Sequence, residues 1–157
     1  MTGRKKYIKW WLFTISVIFI AAQFFQPDRD RPVPPSETDL LKIEMGDSLA
    51  KIISSGCYDC HSNQTEYPWY AYVVPIAHMI NRHVQDGKKA LNFSLWESYS
   101  RPQKVAHLSE ICEVVAENEM PLRMYRFLHN EARLDDPQKE LICTWSEREG
   151  LRILSGN

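Results

Sequence analysis

Five residues, Cys57-Tyr58-Asp59-Cys60-His61, constrain this chain more than any other stretch. Two thiols three positions apart, with an imidazole directly after the second, serve three chemistries: covalent attachment of a c-type haem, a redox dithiol, or half of a zinc site. Each makes a different demand on the surrounding sequence. The surroundings therefore decide among them.

A redox dithiol belongs at the start of a helix, where the N-terminal dipole lowers the thiol pKa. Here Leu49, Ile52 and Ile53 recur at helical spacing from about Asp47, and Gly56 is the stop signal, so the motif follows a helix. A zinc site needs a second ligand pair, whereas Cys112 and Cys143 are single and far apart. Haem attachment accounts for every position: two thiols add across the two vinyl groups of one porphyrin edge, and the adjacent imidazole reaches the iron from the same side. The residues thus read as one covalently bound haem c on Cys57 and Cys60, with His61 as ligand.

The iron has a second face. Met120, followed by Pro121 in a stretch between helices, is placed to carry a thioether over it, and Met/His ligation suits electron transfer. Met124 and Met79 are the rival thioethers. His78, His83, His107 and His129 are the bis-His candidates, with His83 first because it lies near the aromatic stretch TEYPWYAYVVP. His61 is expected to donate its other ring N–H to a backbone carbonyl, with Pro75 or Pro68 as the candidates. Trp69 and Tyr70, with Tyr67, Tyr72 and Pro75, are the candidate apolar surroundings of the haem, although ordinary core packing explains the aromatics almost as well.

The ends of the chain differ in character. Arg4, Lys5 and Lys6 precede an apolar run that carries no charge from Trp10 to Ala22. Residues 1–25 read as a single N-terminal transmembrane helix, uncleaved because Ala21-Ala22-Gln23 is a poor cleavage site, with the basic end inside. That reading puts the protein in a bacterial inner membrane, single-pass, its C-terminal domain in the periplasm, with lipid as a partner. Residues 26–38, with four prolines among charges, read as an extended linker or stalk, and residues 39–157 as the haem-binding domain. A net charge of −1 gives no basic surface for nucleic acid, and that class is excluded.

Within the domain, helices are expected at about Asp47–Gly56, at Ile76–Asp86 stopping at Gly87, and from Arg101-Pro102 with Val105, Leu108, Ile111, Cys112 and Val115 on one stripe. The last starts at Asp135 or Asp136, with Pro137 in its first turn and Gln138 closing a capping box, and buries Leu141, Ile142 and Trp145. No segment alternates at period two. The fold class is all-α: about four helices with long loops after the N-terminal one. Cys112 and Cys143 form either a disulfide between the last two helices or two separate buried thiols.

The run CYDCHSNQTEYPWYAYVVPIAHMINRHVQDGKKALNFSLW, followed by EMPLRMYRFLHNEARLDDPQKELICTW, resembles the haem-binding domain family of membrane-anchored bacterial c-type cytochromes. The resemblance implies a short class I cytochrome fold, with Cys57 and Cys60 as attachment points, His61 as proximal ligand and Met120 as distal ligand. Leu122 stands where the family carries a second proline. The expected function is carriage of single electrons between redox protein partners. The alternatives are a haem enzyme or gas sensor with an open sixth position and His83 or His129 as acid/base, or a structural haem subunit of a respiratory complex.

Overall fold

The structure is a computed structural model that describes residues 2–156. It is built from helices alone, with no strand among the described residues. In chain order the α-helices are α1 (Thr2–Ala22), α2 (Asp47–His61), α3 (Ile76–Ala90), α4 (Arg101–Ala116), α5 (Arg123–Leu128) and α6 (Asp136–Ser155). Short 3₁₀ turns at Leu40–Lys42, Trp69–Tyr72, Phe93–Ser98 and Asn130–Ala132 join them. The all-α expectation holds.

The transmembrane expectation does not. No helix among the described residues is long and apolar enough to cross a membrane. Arg4, Lys5, Lys6 and Lys9 occupy the first turns of α1, so its uncharged part runs only from Trp10 to Ala22. At 1.5 Å per residue that part spans about 20 Å, short of the roughly 30 Å of a bilayer core. The assignment to an inner membrane with a periplasmic domain rested on that helix and falls with it.

Residues 23–38 lie along the domain instead of standing away from it. The Gln23 side-chain amide grips both backbone groups of Val74, donating to its carbonyl at 3.1 Å and accepting its N–H at 2.9 Å. Arg29 lies 4.2 Å over the Tyr72 ring, Asp30 pairs with Lys88 at 2.9 Å, and Val33 N–H donates to Asn63 O at 2.8 Å. The prolines keep this strap extended, and its polar groups find partners on the aromatic stretch and α3.

The core forms where α2, α4 and α6 turn their apolar stripes together with the Phe93–Ser98 turn. Leu49, Ile53, Tyr58, Phe93, Trp96, Leu108, Val115, Ile142 and Trp145 make one buried cluster. Helices α4 and α6 run antiparallel, joined near one end by the Cys112–Cys143 disulfide; at the other end Gly156 lies near Arg101. The start of α6 follows from its sequence: Asp135 accepts from Gln138 N–H at 2.9 Å and Gln138 returns the bond at 3.0 Å. Ile142 and Trp145 are buried as expected, whereas Leu141 is exposed.

Two helices outrun their sequence stops. Helix α2 continues through Gly56 to His61, because Tyr58 is buried by the core and its hydroxyl donates to Asp39 at 2.6 Å. Such tertiary contacts outweigh the cost of about 1 kcal/mol for an interior glycine. Helix α3 continues through Gly87 to Ala90, for a reason that lies in the site below. Asp39 itself is fully buried and also accepts from Leu41 N–H, Gln64 and Ser94, which pins the start of the domain to α2.

Candidate cofactor site

The Cys57-to-His61 segment forms the last turn of α2, and its placement depends on α3. A side-chain carbon added at Gly87 would lie 2.5 Å from the carbonyl oxygen of Cys60. Glycine is therefore what lets α3 press its backbone against the motif. Four residues further on, the chain leaves α3 at Leu91, whose carbonyl oxygen lies 3.1 Å from His61 Nδ1. Because a carbonyl only accepts, Nδ1 carries the hydrogen and Nε2 keeps its lone pair. Burial holds the His61 pKa below the usual histidine value, against the opposing pull of the Leu91 and Gly87 carbonyls. The ring is thus the neutral tautomer a metal requires. The expected partner, Pro75 or Pro68, is corrected to Leu91. Pro75 caps the far end of α3, and it is the exit of that helix that meets the exit of α2.

His61 lines an apolar cleft with Ile53 and Cys57 of α2, Leu91 and Phe93 beyond α3, Ile111, Val114 and Val115 of α4, and Ile142 of α6. Met120 and Pro121 close another side. They arrive by a sharp reversal after α4: Asn118 takes a left-handed φ of 62°, and the Val114 carbonyl accepts both Glu119 N–H at 2.9 Å and Met120 N–H at 3.0 Å. Pro121 then packs onto α2 at Gly56. Residues 61 and 120, far apart in sequence, share one cavity.

The two motif cysteines are free and half-buried. Burial, with Cys60 nearby, pushes the Cys57 thiol up to about 12, and burial, with Asp59 adjacent, pushes Cys60 up to about 11. Both stay protonated at neutral pH. A redox dithiol needs the opposite shift, and no group of three or more His, Cys, Asp or Glu suited to a metal ion occurs among the described residues.

The aromatic candidates go elsewhere. Trp69, which is 80% exposed, and Tyr70, bonded to His129 at 3.3 Å, line a second apolar cleft on the Cys60 side of α2. That cleft also takes Met79, Met124, His83 and His129, the rival ligands, away from His61. His78 is bonded to Phe25 O at 2.9 Å, and Pro75 lines neither cleft. Of the histidine candidates, His107 alone shares the cleft with His61. Sequence reasoning missed Gly87, Leu91, Phe93 and Tyr99. The conspicuous strings HVQDG and LNFS marked the first three, and only the tertiary fold could have marked the last.

The model of the haem-binding domain family matches residues 17–148. The chain belongs to the haem-binding domain family. No curated protein and no solved structure matches it. As a haem-binding domain, its first cleft offers apolar walls, a neutral imidazole oriented by a backbone carbonyl, a thioether and the Cys57 thiol, while Cys60, one helical turn on, faces the second cleft across the end of α2. The residues present fit the group.

Proposed function

We propose that the protein is a monohaem c-type cytochrome that carries single electrons between redox protein partners. Cys57 and Cys60 would hold the haem as thioethers, each S–H adding across a vinyl group with no net redox change. His61 and Met120 would hold the iron. When bound, the haem supplies reversible one-electron chemistry at the iron. The chain's own residues set its terms: Leu91 O holds His61 in one tautomer, the reversal at Asn118 delivers Met120, and the carbon-lined walls keep water from the iron.

One observation carries this reading. Cys57, His61 and Met120 line a single apolar cleft although His61 and Met120 stand far apart in the sequence. On the Cys60 side, Trp69, Met124 and Leu128 stand exposed around the second cleft, and we assign that apolar rim to partner docking.

A second reading has one observation in its favour. His107 and Glu110 sit 3.8 Å apart in the same cleft as His61, where an acid/base pair would serve a haem enzyme with an open sixth position. His83 and His129, the earlier candidates for that work, line the other cleft. Absorbance separates the readings. The carrier has a low-spin ferric spectrum with a far-red iron–thioether band that vanishes in Met120→Ala. A high-spin ferric spectrum, with carbon monoxide binding readily to the reduced protein, overturns the carrier.

A further inference from the structure

The peptide group between Leu91 and Asn92 is held at both ends. Its carbonyl oxygen accepts from His61 Nδ1 at 3.1 Å, and its N–H donates to Tyr99 Oη at 3.0 Å. Resonance couples the two ends of a peptide, so an acceptor drawing on the N–H raises electron density on the carbonyl oxygen. A more basic carbonyl in turn draws harder on the imidazole N–H and makes the ring a stronger donor at Nε2.

The clamp is built rigidly. The Asn92 side chain accepts from Ser94 N–H at 3.0 Å and donates to Asn63 at 2.9 Å, so the peptide cannot swing. The Tyr99 ring is wedged edge-on between buried Trp96, 6.2 Å away, and His107, 4.8 Å away. Nothing about satisfying a buried N–H requires a phenol from seven residues along the chain; a water or a turn carbonyl does as well.

We propose that Tyr99 is a positioning residue that sets the donor strength of His61 through the Leu91–Asn92 peptide and thereby lowers the haem reduction potential. This deepens the cytochrome reading and rests on His61 being an axial ligand. The sign follows from the chemistry. A stronger donor stabilises ferric over ferrous iron, so weakening the Tyr99 acceptor raises the potential.

The test uses the full-length, haem-loaded protein with Tyr99→Phe, and with 3-fluorotyrosine at position 99, which weakens the oxygen as acceptor while keeping its shape. Potentiometric titration at mildly acidic pH is expected to show the ferric/ferrous equilibrium shifting about two- to tenfold toward ferrous in Tyr99→Phe. Tenfold corresponds to about 59 mV for one electron. The fluorinated protein falls between. In the haem-free protein, the His61 Nδ1–H proton resonance moves upfield in the same order. If Tyr99 is merely structural, Tyr99→Phe loses stability while the fluorinated protein keeps the wild-type potential and resonance, and the proposal is overturned. If His61→Ala leaves the low-spin spectrum unchanged, the ligand assignment fails separately, and the resonance shift alone then decides whether Tyr99 acts on His61.

Discussion

Replacing Gly87 with alanine tests how the fold delivers the motif to the cleft. The added carbon would sit 2.5 Å from Cys60 O, 3.1 Å from Cys60 C and 3.2 Å from Cys60 Cβ. The first two atoms are backbone, so no rotamer change relieves the clash. To restore ordinary contact at 3.4 Å, the helices must part by about 0.9 Å, the difference between 3.4 and 2.5 Å. Overpacking of this kind costs about 1–3 kcal/mol, and against rigid backbone the upper end applies. Alanine recovers about 1 kcal/mol of helix propensity, leaving a net loss of about 2 kcal/mol. Gly150, also inside a helix but with nothing within 4 Å of its added carbon, is the control; there alanine should stabilise by about 0.4–1 kcal/mol. Urea denaturation of the haem-free proteins reads both as midpoint shifts of opposite sign. Gly87→Ala at or above wild-type stability would refute the claim that α3 needs a glycine against the motif.

Three further outcomes follow. Iodoacetamide should label Cys57 and Cys60 in the folded, haem-free protein at least about 300-fold more slowly than in the unfolded chain, because thiols near 11 and 12 leave little thiolate at neutral pH; equal rates would restore the dithiol reading. Removing the disulfide with Cys112→Ala and Cys143→Ala opens a 31-residue loop and should cost about 3–4 kcal/mol, or roughly 10 °C in melting temperature; a melt within a degree of wild type contradicts it. His61, its pKa lowered mainly by burial, is neutral in the fold. The stability it links to pH is therefore fully present above the ordinary value of 6.5 and is lost as pH falls through the lower, folded value. An NMR titration of His61 in the haem-free protein should show its midpoint below 6.5, and a midpoint above it opposes the account.

Local signals with a single physical cause were legible in the sequence. The capping box at Asp135, the stripe from Val105 to Val115 and the motif at a helix C-terminus each depend on residues a few positions apart. What escaped depends on tertiary contact. Gly56 and Gly87 read as stops because glycine ends helices, yet one is carried through by the burial of Tyr58 and the other is needed where two backbones touch. Leu91 was invisible as the His61 acceptor because a backbone carbonyl leaves no side-chain signature. Trp69 and Tyr70 line the cleft that Cys60 faces while Cys57 and His61 line the other, a division between two sides of α2 that no local pattern signals. The run from Trp10 to Ala22 overstated its reach, since the lysines before it fall within the same helix.

The central proposal is that Cys57 and Cys60 hold haem by covalent bonds at the end of α2, beside the cleft that His61 and Met120 share. A haem stain on a denaturing gel of the full chain, produced with a c-type maturation system, tests it most directly. The account predicts a stained band at the protein's mass that disappears in the Cys57→Ser, Cys60→Ser double variant. A wild-type band without stain, or a stain that survives in the double variant, contradicts it.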